Sequence, residues 1–200
     1  MKSTVILAVV FGLLALFGMN ACSSYNGLVE KNEAVTSQWQ QVENQYQRRM
    51  DLIPNIVNTV QGQADFEKST LEAVVNARAS ATKIQINPDK LDEASMQKFQ
   101  AAQGEVSSAL SRLLMVSENY PDLKTNQGFS ELRTTLEGTE NRIANERMRF
   151  NQVAQDFNTY VQRFPKNIWA GMFGFGKRAY FTMEKGADKT PNVKFDFKSK

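Results

Sequence analysis

Two hundred residues with 42% hydrophobic content and a net charge of +3 suffice for one domain with its own core plus appendages. The chain has no histidine, and its one cysteine, Cys22, lies in an N-terminal apolar run, which excludes an intrachain disulfide and the usual His/Cys metal sets. Acids and bases alternate along the chain, so there is no clustered basic face of the kind nucleic acid requires.

The first element is the run "MKSTVILAVVFGLLALFGMNACSSYNGLV". Read as an uncleaved transmembrane helix, Thr4 to Cys22 spans roughly 28 Å, against a hydrocarbon core of about 30 Å. Tyr25 would then sit at headgroup level. Read as a secretory segment, it ends in "MNACSS", which is similar to a bacterial lipobox with Cys22 as the lipidation site, although Asn20 departs from that pattern. The uncleaved, single-pass helix is the favoured reading. Either way the body is tethered to a membrane, and the lone Lys2 points it away from the cytoplasm.

From Leu28 the apolar positions fall at helical spacing: Leu28, Val35, Trp39, Val42, Tyr46, Met50, Ile53, Val57 and Val60. A second helix is expected over about Asp65 to Ile84. "INPDKLDE" breaks it, because Pro88 disfavours helix before it and Asp89 can cap the next helix. That third helix is expected over Asp89 to Asn119, striped by Phe99, Ala102, Val106, Leu110, Leu113 and Leu114. After "NYPDLKTNQG" comes a long fourth helix, Gly128 to Phe164. Its seam is Phe129, Leu132, Leu136, Thr139, Ile143, Glu146, Phe150, Val153, Phe157, Tyr160 and Phe164. The long first and fourth helices should close on each other, because each buried Leu, Phe or Val contributes roughly 1.5–3 kcal/mol while propensity contributes only tenths. The predicted fold is therefore all-α: an elongated antiparallel helical bundle with coiled-coil-like seams, preceded by an N-terminal membrane segment.

One stretch of the first helix, "QYQRRMDLIPNIVNTV", sets two arginines, an aspartate and a proline together. An interior proline costs about 3 kcal/mol. The cluster reads as a kink whose polar groups are satisfied: Asp51 and Asn55 would accept from freed amides, and Arg48 and Arg49 would complement carbonyls or pair with Glu137, Glu140 or Glu146. The functional alternative is a notch that binds an anion or an acidic loop through Arg48, Arg49, Asp51, Pro54 and Asn55. On the fourth helix Asn141, Arg142 and Arg147 are candidates for a recognition face, since arginine engages carboxylates with two parallel bonds.

After Pro165, "NIWAGMFGFGKRAYF" shows no helical rhythm. Trp169, Phe173, Phe175, Tyr180 and Phe181 either fold back over the open end of the bundle, with Gly171, Gly174 and Gly176 easing the path, or form an exposed patch for a partner or the bilayer surface. Residues 184–200 read as a mobile polar tail. The organisation is thus 1–24 anchor, 25–164 bundle, 165–183 aromatic docking tail and 184–200 tail.

"SYNGLVEKNEAVTSQWQQVENQYQRRMDLIPNIVNTVQG", "LEAVVNARA", "QGEVSSALSRLLMVSENYPDLKTNQGFSELRTTLEGTENRIANERMRFN" and "FPKNIWAGMFGFGKRAYF" together resemble the LemA family over about Tyr25 to Glu184. The resemblance implies a helical bundle behind a membrane segment and no established enzymatic activity. It also hints at HtpX-type membrane proteases or TPM-domain proteins as partners. Many relatives run a plain membrane helix into the Tyr-Asn pair, whereas here Cys22 and two serines intervene.

Without histidine, Glu-x-x-His di-iron sites and His-based nucleophile activation are not possible, and "GFGKR" is too short for a phosphate loop. The expected function is a non-enzymatic, membrane-tethered scaffold or interaction module of the bacterial envelope, with no cofactor and no nucleic acid. The alternatives are a hydrolytic or lipid-modifying enzyme using carboxylates or lysines, and a binder of anionic polymer or lipid.

Overall fold

The computed structural model describes residues 2–62 and 66–182. The expected polar tail, 184–200, and the expected helix start at Asp65 lie outside the described residues. Among the described residues six α-helices run in the order α1 (Lys2–Gln61), α2 (Lys68–Thr82), α3 (Glu93–Ser117), α4 (Pro121–Thr125), α5 (Gln127–Gln162) and α6 (Lys166–Phe173), with a short 3-10 turn at Pro88–Lys90. No strand occurs among the described residues.

The two long helices pack antiparallel along their length. Gly27 lies against Tyr160, Trp39 against Phe150 and Arg49 against Glu140, so numbering rises along α1 as it falls along α5. At Gly27 the approach is so close that a Cβ would land on the Tyr160 hydroxyl. The helices α2 and α3 form a second antiparallel pair laid against the first, tied at one end by Arg112 to Glu67 at 3.4 Å. The seam predicted for α1 is buried from Leu28 to Val60. On α5, Phe129, Leu136, Thr139, Ile143, Phe150 and Phe157 of the predicted seam are buried, Leu132, Glu146, Val153 and Tyr160 are only partly so, and Ala154, Asn158 and Val161 complete it.

Several boundaries differ from expectation, each for a local reason. Helix α3 is capped by Asp92, whose carboxylate accepts from the Ser95 amide at 2.7 Å, and not by Asp89, which falls inside the 3-10 turn. The connector after α3 holds the short helix α4, started by Pro121 at its first turn. Helix α5 is capped by Asn126, accepting from the Phe129 amide at 2.9 Å. It ends at Gln162, so Phe164 leaves the seam and is 81% exposed. Residues 166–173 form a helix where no helical rhythm was read, because Trp169 and Ala170 bury together on one side of just two turns. Only one of the three tail glycines has a positive φ: Gly174, at 77°, closes α6 in the left-handed region.

Glu118, at the end of α3, is gripped by Lys124 of α4 and Arg133 of α5, both at 2.8 Å. Hydrogen bonds from Lys124 and then Arg133 lower its pKa, as the Ser69 and Thr70 hydroxyls do for Glu67 and the Ser95 amide does for Asp92. A carboxylate with a lowered folded-state pKa stabilises the fold fully above its unfolded value, and that stability is lost as pH falls through the folded one. Melting temperature is therefore expected to be flat through neutral pH and to drop on the acid side of the ordinary carboxylate range. Glu118→Gln should shrink that drop; an identical acid limb in the variant would rule Glu118 out as a contributor.

Candidate functional site

The buried apolar residues divide into two clusters. One is centred on Trp39, Phe99 and Phe150, the other on Ile53, Val106 and Leu136. The division falls between Tyr46 and Met50 on α1, between Phe99 and Ala102 on α3, and between Leu136 and Ile143 on α5. Polar side chains fill that level. Arg49 is 1% exposed and donates to Glu140 Oε1 at 2.7 Å, Ser107 Oγ at 2.7 Å, Gln103 Oε1 at 2.5 Å and the Gln103 carbonyl at 3.2 Å. Its guanidinium also lies 5.1 Å from the centre of the Tyr46 ring. The planar fork of arginine suits this arrangement, since one cation meets acceptors from two helices at once. The adjoining cavity, about 50 Å³, is far below the roughly 300 Å³ of a small-molecule site. Among the described residues no cluster of acidic residues and cysteine could hold a metal ion.

One turn on, α1 runs through Pro54 without interruption. A proline at this position removes the donor that would have served the carbonyl one turn back, that of Met50. The freed group is thus an acceptor, not the amide expected from sequence. Arg78 of α2 fills the vacancy, donating from Nε to the Met50 carbonyl at 3.0 Å. Asp51 accepts instead from Gln47 Nε2 at 2.7 Å, and the Asn55 carbonyl accepts from the Thr59 hydroxyl at 2.8 Å. Burial of Ile53, Ile56, Val57 and Val60 around the proline offsets its cost. Arg78→Ala is expected to destabilise the native chain by about 1 kcal/mol, and to cost little in a Pro54→Ala background, where the restored amide serves Met50. A double-mutant cycle by urea unfolding measures this coupling; additive effects would contradict it.

The second feature is the segment after α6. Residues 174–182 run extended along the groove between α1, α3 and α5, antiparallel to α5. The Asn158 side chain receives the Arg178 amide at 2.7 Å and donates to the Arg178 carbonyl at 2.8 Å. Asn151 does the same for Phe181, at 2.8 and 2.9 Å. Seven helical residues rise about 10.5 Å and three extended residues about 10 Å, so two asparagines a heptad apart match the strap's spacing. The Ala179 amide donates to the Leu91 carbonyl at 2.9 Å, and Arg178 reaches Asn32 of α1 at 2.6 Å. Asn158→Leu should cost about 1–3 kcal/mol by stripping both partners from Arg178, and hydrogen exchange at the strap amides should accelerate. Unchanged exchange would show that these pairs do not hold the strap.

The aromatic tail residues therefore divide. Trp169 and Phe181 are buried, Phe175 is half-buried, and Phe173 and Tyr180 are exposed. Arg147 donates to the Thr182 carbonyl at 2.9 Å with its guanidinium 5.0 Å from the Phe181 ring centre, so it is part of the strap's clamp. Asn141, Arg142 and Arg48 are exposed. Cys22 is a free, exposed thiol inside α1. Sequence reasoning missed Arg78, Asn151 and Asn158. The first was traceable from the carbonyl that Pro54 frees, the others from their heptad spacing.

A family model described as the LemA family matches residues 38–195. Two curated proteins of Paramagnetospirillum magneticum (strain ATCC 700264 / AMB-1), magnetosome proteins MamQ 1 and MamQ 2, are each 28% identical over 186 residues, covering 84% of this chain and 68% of theirs. Magnetosome protein MamQ of Magnetospirillum gryphiswaldense (strain DSM 6361 / JCM 21280 / NBRC 15271 / MSR-1) is 27% identical over the same length and shares.

Proposed function

The chain belongs to the LemA family, and from that membership we propose that it is a non-enzymatic, membrane-tethered scaffold of the bacterial envelope. One observation carries the reading. The first third of α1 is long and apolar enough to cross a membrane, and its large described apolar side chains stand exposed, whereas the seam of the same helix is fully buried from Leu28 onward. Ile6, Leu7, Phe11, Leu14 and Phe17 are all more than 60% exposed. Residues 3–29 carry no charge and extend about 40 Å as helix, more than a hydrocarbon core needs. Water is a poor solvent for such a surface, and a bilayer is the matching one.

The body would then present its outer faces to other envelope proteins, HtpX-type proteases or TPM-domain proteins among them. The exposed pair Asn141 and Arg142, with Arg48, is the recognition surface we assign, now without Arg147. Tethering raises the local concentration of such partners and lets weak contacts suffice.

Fractionation tests the anchor. In the full chain, Phe11→Lys with Leu14→Lys should release the body to the soluble fraction, and Cys22→Ser should leave it in the membrane. The reverse pattern would replace the spanning helix with a lipid on Cys22. Proximity labelling in cells with Arg142→Ala tests the recognition surface, and an unchanged set of partners would remove it.

A further inference from the structure

We propose that α6 is a second membrane contact, lying in the bilayer interface beside the spanning helix and seating the end of the bundle on the lipid; this rests on α1 crossing the membrane. The helix is two-faced. Trp169 and Ala170 are buried in the bundle, while Ile168 is 54% and Met172 67% exposed on the opposite side, with Phe164 before them and Phe173 after them also open. Phe164, Ile168 and Met172 follow at intervals of four, and the last two lie one turn apart on the helix. Such a row of large apolar groups is unusual on a surface that meets only water.

Position identifies what covers it. The Trp169 ring lies 4.8 Å from that of Phe17, and the Phe173 ring 4.9 Å from that of Tyr25. Phe17, 62% exposed, is itself part of the uncharged apolar stretch of α1, so α6 reaches to the depth of residues assigned to the bilayer. The chain arrives there through Phe164–Pro165 and leaves at Gly174, whose left-handed conformation turns it back into the strap. Whatever surrounds Phe17 therefore meets α6 as well.

Charge agrees. Residues 157–182 contain Arg163, Lys166, Lys177 and Arg178 and no acid. Arg178 is engaged by Asn32, but Arg163 and Lys177 are exposed, and Lys166 reaches over the Tyr160 ring, 3.8 Å from its centre. Apolar side chains facing down with cations around them match the chemistry of an anionic lipid surface, as in helices that lie in the interface.

The test uses the full chain reconstituted in vesicles of phosphatidylethanolamine and phosphatidylglycerol that carry an acyl-chain diazirine lipid. After illumination, adducts are mapped by mass spectrometry. Adducts are expected on residues 6–19 and on 164–173, and none around Met115 or Met148 in the bundle body. Ile168→Asp with Met172→Asp should cut the yield on 164–173 severalfold while leaving that on 6–19 unchanged. Labelling of 6–19 with 164–173 as silent as Met148 would overturn the interfacial role and leave the tether standing. Silence at both places would overturn the tether and the inference together. Crosslinks joining two copies through Met172, in place of lipid adducts, would assign the face to a second copy and also overturn it.

Discussion

Trp39→Ala is expected to destabilise the bundle by about 3–5 kcal/mol, the largest effect of any single truncation. Trp39 has no exposed surface. Its ring meets Phe99 of α3 at 5.3 Å and Phe150 of α5 at 5.6 Å, both edge-on, and stacks on Phe181 of the strap at 5.8 Å with 15° between planes. Four separate segments of the chain thus share one side chain. Its removal leaves a cavity that none of the four can fill without drawing away from the others, which places it at the upper end of truncation costs. The aromatic pairs add about 0.5–1.5 kcal/mol each beyond area alone. Urea unfolding monitored by circular dichroism gives the magnitude. Limited proteolysis should show the strap becoming accessible before the helices do, because Phe181 loses its stacking partner while the α1–α5 seam survives elsewhere. A loss below about 1 kcal/mol would mean that the aromatic centre is not what joins these segments.

Arg49→Ala is the second large effect, expected at about 2–4 kcal/mol. Four acceptor contacts disappear at once, and the Gln103 side chain is left buried, at 7% exposure, without its cationic donor. Glu140 limits the cost. Its side chain is 41% exposed, so on losing Arg49 it can regain water, unlike a fully enclosed partner. Arg49→Lys should recover only part of the loss, because a point-like ammonium cannot reach acceptors on both α3 and α5. Glu140→Gln should be milder still, near 1 kcal/mol, since an acceptor oxygen remains. The order Ala, Lys, then Glu140→Gln in falling severity is the measurable signature. Equal losses for Arg49→Lys and Arg49→Ala would show that charge contributes nothing beyond the fork. The same layer also sets register. Sliding α1 along α5 by one turn would carry Arg49 into one of the two apolar clusters, where it would lack acceptors.

Periodicity decides which parts of the fold could be read in advance and which stayed hidden. Spacing reports which side of a helix is apolar, so the seams of α1 and α5, and hence an all-α bundle with two long partners, were legible. It says nothing about which neighbour a polar residue on that seam will meet. Arg49 read as a carbonyl complement or a partner of Glu137, Glu140 or Glu146, and it does meet Glu140 and the Gln103 carbonyl, but its full burial at the centre of a polar layer was not foreseen; Arg147 read as a recognition residue and is found donating to the Thr182 carbonyl of the strap. Helix α6 escaped notice because two turns with a glycine at Gly171 give too little repeat to register. Asn151 and Asn158 passed without remark because their partner is backbone, so that beyond their seven-residue spacing no complementary side chain points to them.

The uninterrupted course of α1 has a mechanical consequence. From Ser23 to Gln61 the helix projects about 60 Å with no joint between the apolar stretch and the bundle. Spanning helices lean to match bilayer thickness, commonly by about 20°, and a lean of that size swings the far tip sideways by about 20 Å. With α1 spanning the bilayer as proposed, a thinner or thicker membrane would reposition the distal end like the needle of a gauge, and any contact made there would respond to the lipid beneath it.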